Sequence, residues 1–445
     1  MTQKTSYKKI IRTDKWKLSP TREQKELMLL TVKEYRRLCR FLVTVVSTHW
    51  VELGGLKSDQ VVPAVEKLVH ATSKNTKPKY PQFNKSFHKF PSYLRRAAIM
   101  FAVGQVSSYM TRYYEWQSGI RKRRDAKPPV LNPDTGCYPS LYKGQCYKLH
   151  EFKIVEIKVF TGSDWIWISV PIISLRERHQ VETNQIKSPS LIVSSKQGHL
   201  SVPFECNPEK ITKSGVVLAV DLGINTTATV SVVSQEGTVI YREFIHPGRD
   251  IDRRDKRLKS ISMKAKKTKK LSCGFCKHTY RKCRNINQQI GHIVSKRIVN
   301  IAKSFKTEAI VFENLKNWKP KGGKKRSNLK QRFHGWLKSL IFTLTQNKWI
   351  ELGGKIISVI AAYTSKLAFD GSGFLKRDSK NYTLATFNTG KHYNCDLNGS
   401  YNIAARGWQK LTERKYREER GSKSSTRSPR SWACLCDLWF STQIA

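Results

Sequence analysis

The chain has 445 residues, enough for about three domains of roughly 150 residues each, and 39% of them are hydrophobic, enough for true cores. Its 82 Lys and Arg face 33 Asp and Glu, a formal net charge of +49. Self-repulsion of that size disfavours a compact state unless a polyanion neutralises it, so nucleic acid is the expected partner rather than a basic surface that serves solubility alone. No run of about eighteen apolar residues predicts a membrane span. The opening Met1-Thr2-Gln3-Lys4-Thr5-Ser6-Tyr7-Lys8-Lys9 lacks the apolar stretch of a signal peptide. Ten cysteines without a framework spacing point to a reducing compartment.

In chain order, Lys9–Leu18 reads as a strand. Pro20 opens a helix in which Leu27, Leu30, Tyr35, Leu38, Leu42 and Val45 recur at helical spacing. A second helix over Pro91–Gln117 ends in the basic cluster Arg121-Lys122-Arg123-Arg124, and residues 21–130 read as mainly helical. The character changes at Pro128-Pro129. Phe152–Phe160 and Trp165–Pro171 read as strands, and Ser190–Ser194 with Leu200–Phe204 as a hairpin. Asn207–Gly215 reads as a linker.

Three later stretches each end a hydrophobic run on one carboxylate. They are Val216-Val217-Leu218-Ala219-Val220-Asp221, Ala309-Ile310-Val311-Phe312-Glu313, and Cys395-Asp396-Leu397-Asn398 followed by Asn402-Ile403-Ala404. Spacing this wide has a purpose if the fold gathers Asp221, Glu313 and Asp396, because converging carboxylate oxygens are what hard divalent cations require. After Asp221, Thr226–Val233 and Thr238–Phe244 alternate around Gln235-Glu236-Gly237 as an antiparallel hairpin. Residues 249–283 form a dense basic run that includes Arg253, Arg254, Lys264, Lys266, Lys267, Lys269 and Lys270. Helices are predicted over Ile286–Ser304 and Leu329–Leu352, a strand over Lys355–Ala361, and a disordered basic tail over 410–445. Cys273, Cys276 and Cys283 have the look of a zinc cluster but lack a settled fourth ligand, His278 being the nearest candidate, so zinc is not expected there.

The order and flanks of these motifs, with Leu18-Ser19-Pro20-Thr21-Arg22-Glu23-Gln24 and Tyr35-Arg36 near the start, resemble the transposon-encoded RNA-guided nucleases of the TnpB family and their compact type V CRISPR relatives. The resemblance implies a multidomain α+β chain. In it an RNase H-like (RuvC) nuclease domain follows a small β-barrel wedge domain split around a helical recognition lobe. The implied divisions are 1–20 and 131–207 for the wedge, 21–130 for the lobe, and 208–363 for the first two nuclease motifs with a basic helix at 249–283. A target-binding insertion follows at 364–393, then the third motif at 394–409 and the tail.

It also implies that Asp221, Glu313 and Asp396 hold two Mg²⁺ ions for phosphodiester hydrolysis, and that guide RNA and double-stranded DNA are the partners. Arg121, Lys122, Arg123 and Arg124 with the 249–283 run would contact nucleic acid. The cellular setting implied is the prokaryotic cytoplasm, at the nucleoid. The family's insertion carries a four-cysteine zinc knuckle. Here Thr364-Ser365 remains, but of the thiols only Cys395 stands, beside His392. Zn²⁺ is therefore not expected, and cleavage competence is open. Two alternatives remain: RNA-guided DNA binding without cleavage, for transposition targeting or repression, and a guide-independent nuclease.

Overall fold

The computed structural model describes residues 10–443 except 74, 88, 121–126, 134–135, 175–184, 196, 210, 212–213, 270, 317–334, 379–380 and 420–433. Two units divide the chain, Met1–Asn207 and Pro208–Ala445. Among the described residues no helix is long and apolar enough to cross a membrane.

The first unit is built on a seven-stranded sheet. Its strands are β1 (Ile10–Leu18), β2 (Tyr147–His150), β3 (Ile154–Phe160), β4 (Trp165–Ser174), β5 (Gln185–Ile186), β6 (Ser190–Val193) and β7 (Gly198–Cys206). The order is β2-β3-β4-β1-β7-β5, with β6 also on β7. No pairing of β2 with β5 closes this sheet into a barrel among the described residues. β1 pairs antiparallel with β7 along its whole length, from Ile10↔Cys206 to Leu18↔Gly198. Between β1 and β2 the chain makes helices, the longest being Arg22–Thr48 and Ser92–Gln117.

Local chemistry explains the first of these helices. The Thr21 side chain accepts from the Gln24 N–H at 3.2 Å, and Gln24 Oε1 accepts from the Thr21 N–H at 3.0 Å, a reciprocal capping box. Met28, Val32, Tyr35, Cys39 and Leu42 then recur on one face and are buried. Of the expected Leu27, Leu30, Tyr35, Leu38, Leu42 and Val45, the last four are buried and Leu27 packs partly buried against the core, while Met28 and Val32 fill the first turns of the stripe. Thr31, buried in it, donates to Leu27 O at 2.8 Å and accepts from Phe160 N–H at 2.8 Å, tying the helix to β3 without an unpaired hydroxyl.

The second unit centres on a five-stranded sheet of β8 (Val216–Asp221), β9 (Ala228–Ser234), β10 (Val239–Ile245), β11 (Ala309–Glu313) and β12 (Lys355–Val359). The order is β10-β9-β8-β11-β12. β8 and β9 and β9 and β10 are antiparallel, whereas β8, β11 and β12 run parallel. Central strands are buried on both faces, hence the near-continuous runs Val217–Val220 and Ala309–Phe312. Leu218, Val220, Ile310 and Phe312 face the helices Lys277–Ser304 and Lys338–Glu351. Val217, Ala219, Ala309 and Val311 face the helix Cys395–Glu419. That helix lies so close that a Cβ at Gly407 would come within 2.5 Å of Val311 Cγ2.

A small sheet of β13 (Lys376–Arg377), β14 (Leu384–Thr386) and β15 (His392–Asn394) precedes that helix.

Three expectations are corrected here. The basic run 249–283 is not one helix. Gly248–Thr268 ends at Lys269 with φ +51°, and a second helix starts at Lys277 after Cys276 with φ +50°. The predicted Leu329–Leu352 helix starts at Lys338, and the part over 329–334 lies outside the described residues. The tail is not uniformly disordered either. The third-motif helix runs on to Glu419, and Leu435–Gln443 is helical, with Cys434, Leu435 and Cys436 buried. Leu435, in the apolar stretch that follows the Ser/Arg-rich part of the tail, joins the core beside Trp408 and Leu411.

Candidate active site

Strand register brings the first two carboxylates side by side. Val220 on β8 pairs with Phe312 on β11, so Asp221 and Glu313 end adjacent parallel strands, about 4.8 Å apart across the ladder. Side chains alternate along a strand, so both share the parity of Val217, Ala219, Ala309 and Val311 and point to the face covered by Cys395–Glu419. That helix starts where Asn394 Oδ1 accepts the N–H groups of Asp396 and Leu397 at 2.9 and 3.0 Å. The cap sets Asp396 in the first turn, and Gly399 one turn on faces Asp221.

The three carboxylates are half-buried, and the charges of Glu313 and Asp396 act on Asp221. Asp221 is held well above the usual carboxylate range by burial first, then by the charges of Glu313 and Asp396, with Arg377 opposing. Burial also raises Glu313, against a hydrogen bond from Thr364 and the charge of Arg406. Burial raises Asp396, against a bond from Thr226 and the charge of Arg377. Concentrating negative charge in a partly desolvated place is unfavourable unless a cation joins it. The donor set is all oxygen, which suits a hard divalent ion.

Among the described residues these three do not bring their ligand atoms within 4.8 Å of one another; the group that does is Cys434, Cys436 and Asp437.

Four further side chains build this site, of which Arg377 and Arg406 escaped the sequence reading. The Thr364 hydroxyl donates to Glu313 Oε1. Arg406 is buried and donates to the carbonyls of Ile360 and Ala362 at 2.7 Å each, beside Glu313. Arg377, in the small sheet, donates to Ser365 O at 3.3 Å. Asn398 accepts from Phe369 N–H at 2.8 Å and donates to Leu367 O at 2.7 Å, so it anchors the 367–369 loop. A cleft of about 520 Å³ opens beside Glu313, lined by Leu222, Asn314, Lys316, Lys338 and Gln346. The family-like Thr364-Ser365 pair was the one available signal. The others depend on contacts across the fold.

The candidate nucleic-acid residues are less uniform. Lys264, Lys266, Lys267 and Lys269 are exposed on or just after the Gly248–Thr268 helix. Arg253 is about half exposed and pairs with Asp250 at 3.1 Å. Arg254 does not belong with them. It is 7% exposed and donates to Asp255 at 2.7 Å, to the Gly335 carbonyl at 2.9 Å and to Asn287 at 3.4 Å. Helical periodicity turns it inward, where it fixes Gly248–Thr268 against Lys277–Ser304. Arg121, Lys122, Arg123, Arg124 and Lys270 lie outside the described residues.

Of the cysteines considered for zinc, Cys273 is exposed while Cys283 is buried. His392 contacts Thr386 Oγ1 at 3.0 Å.

Comparison with known proteins bears out the resemblance to TnpB-like proteins and compact CRISPR effectors. The Aq_aa04 family matches residues 12–161. The chain is 25% identical over 235 residues to the TnpB-like protein aq_aa05 of Aquifex aeolicus (strain VF5), covering 49% of this chain and 76% of that protein. Among solved structures, the mini-RNA-guided endonuclease CRISPR-Cas_phi3 matches 90% of this chain and 92% of its own, with a TM-score of 0.51 at 10% identity. The chain is thus related in sequence to a TnpB-like protein and resembles a compact CRISPR effector in fold.

Proposed function

We propose that this chain is an RNA-guided DNA endonuclease of transposon origin. Its Pro208–Ala445 unit would be an RNase H-like (RuvC) nuclease domain acting through Asp221, Glu313 and Asp396. One observation carries the reading: carboxylates end two neighbouring parallel strands and start the helix over them, close enough that Glu313 and Asp396 act on the buried Asp221. The sheet order β10-β9-β8-β11-β12, with the first acidic strand central, supports it. So does the likeness to proteins whose names describe TnpB-like and RNA-guided endonuclease character.

Asp221, Glu313 and Asp396 would hold two Mg²⁺ ions. The ligand spread beyond 4.8 Å suits a pair of ions better than one, since paired catalytic ions stand about 3.5–4 Å apart. When bound, such ions activate water and stabilise the leaving oxygen of an in-line displacement. The protein's own part is positional. Thr364 fixes Glu313 and Thr226 fixes Asp396. Arg377 and Arg406 offset part of the negative charge. Lys316 and Lys338 line the cleft beside Glu313, where a phosphodiester backbone would run. Arg253, Lys264, Lys266, Lys267 and Lys269 would neutralise phosphates without reading bases.

Guide RNA and target double-stranded DNA would be the partners, with sequence read by base pairing. The segments 1–20 with 131–207, and 21–130, would serve as wedge and recognition lobe.

The test is direct. RNA that co-purifies with the full chain is sequenced, and that RNA then programs cleavage of a matched plasmid with Mg²⁺. A discrete structured RNA and matched cutting are expected. Random cellular RNA with no matched cutting would overturn the proposal.

A further inference from the structure

A second cluster of ligand-type side chains lies at the far end of the chain, and nothing in the nuclease reading uses it. Cys434 and Cys436 are 8% and 5% exposed, and their Sγ atoms are 3.1 Å apart. Asp437, in the first turn of Leu435–Gln443, turns its carboxylate back toward both. Its Oδ2 is 2.7 Å from Cys434 N, whose N–H it accepts, and 3.3 Å from Cys434 Sγ, while Oδ1 is 3.9 Å from Cys436 Sγ. All three ligand atoms fall within 4.8 Å of one another.

We propose that Cys434, Cys436 and Asp437 bind one Zn²⁺ ion, with the fourth position left to water. Two thiolates and one carboxylate form a zinc-type set, whereas Mg²⁺ seeks oxygen alone. Two sulfurs bound at about 2.3 Å to one tetrahedral ion lie roughly 3.8 Å apart, so the thiols need open by less than about 1 Å. The bound set would keep a single negative charge, and the buried Arg406, whose charged form a Cys434 thiolate favours, would offset part of it. Without an ion, burial and the Asp437 charge favour the protonated thiols. Binding would therefore release protons.

The ion would clamp one defined piece of chain. Cys436 N–H donates to Phe369 O at 3.0 Å. Gly371, with φ +78°, leaves space that its Cβ would take from Cys436, since that Cβ would sit 2.6 Å from Cys436 Sγ. Phe369 N–H is in turn held by Asn398, in the same helix as Asp396. A metal at the chain end would thus pin the start of the 364–393 insertion, at a place distinct from both Cys395 and the Cys273–Cys283 set. These side chains alone carry the zinc site, which does not depend on the nuclease proposal.

The experiment is elemental analysis of the full chain purified under reductant without chelator. About one zinc per chain is expected. It should be lost in the Cys434→Ser/Cys436→Ser double variant and kept in Cys273→Ser/Cys276→Ser. Cobalt-exchanged wild type should show thiolate-to-cobalt charge-transfer absorption that the double variant lacks. Should the double variant fail to fold, wild type is treated with a zinc chelator and alkylated. Cys434 and Cys436 should become reactive only after chelation. Zinc absent from wild type even after incubation with excess Zn²⁺, zinc retained by the double variant, alkylation indifferent to chelator, or a Cys434–Cys436 disulfide in the reduced preparation would each overturn the site.

Discussion

Gly399 lies directly against Asp221: a Cβ placed on it would stand 2.8 Å from Asp221 Oδ2, inside van der Waals contact. The glycine is in a helix interior, where alanine ordinarily stabilises by about 0.5–1 kcal/mol. Gly399→Ala should therefore leave metal-free stability unchanged or raised while displacing the carboxylate. Misplacement on this scale costs about tenfold or more in rate. Thermal unfolding read beside plasmid cleavage checks the split, and wild-type cutting by the variant would show that Asp221 moves aside at no cost.

Replacing each carboxylate tests whether they act as one unit. Asp221→Ala, Glu313→Ala and Asp396→Ala should each abolish cleavage with guide-RNA affinity within about twofold of wild type. A double variant should be no worse than a single one, because the residues share one function. Additive losses, or retained cutting by any single variant on supercoiled plasmid with its guide, would remove that residue from the site.

The raised Asp221 carboxyl makes a prediction about stability and pH. A folded-state value above the unfolded one means that the native state binds the extra proton. Stability then falls as pH rises from about 4 through the folded-state value, and the ionised group opposes folding at neutral pH. In metal-free protein Asp221→Asn should raise Tm at pH 7. The gain should vanish near pH 3, where the carboxyl is protonated in both states. Mg²⁺ should raise the Tm of wild type more than that of Asp221→Asn. Calorimetry across pH, with and without Mg²⁺, reads all three arms.

Arg254 and the exposed lysines should part company. Arg254→Ala leaves the Gly335 carbonyl and Asn287 without their cationic donor, at a cost of about 2–3 kcal/mol. It should leave the salt dependence of RNA binding unchanged. Replacing Lys264, Lys266 and Lys267 together by Ala should change stability by no more than about 0.5 kcal/mol per residue. The slope of log K against log salt should flatten by about 0.7–0.9 for each phosphate that is no longer neutralised. The opposite pattern would mean that the helix presents a different face to nucleic acid.

What could be read from the sequence was what local patterning encodes. Hydrophobic runs ending in Asp221 and Glu313 marked buried strands with a polar end, because a strand covered on both faces must be apolar until it leaves the sheet. The alternation through Thr226–Phe244 marked the hairpin, and helical spacing located Arg22–Thr48 and Ser92–Gln117 to within a few residues. Charge alone named nucleic acid as the partner to expect.

Tertiary structure decided which side chains meet. Helical spacing from Ile251, Leu258 and Ile261 sets Arg254 on the inward stripe and Arg253 off it, but only the packing of Gly248–Thr268 supplies Arg254 with its buried partners. Gly399 reads as an ordinary helix glycine until the helix crosses Asp221. Arg406 and Thr364 reach Glu313 only because the helix and the loop after β12 close over the strand ends. Cys434-Leu435-Cys436-Asp437 sits in a tail whose composition reads as disorder. Burial of Leu435 against Trp408 and Leu411, a gain available only once that core exists, brings two thiols and a carboxylate together.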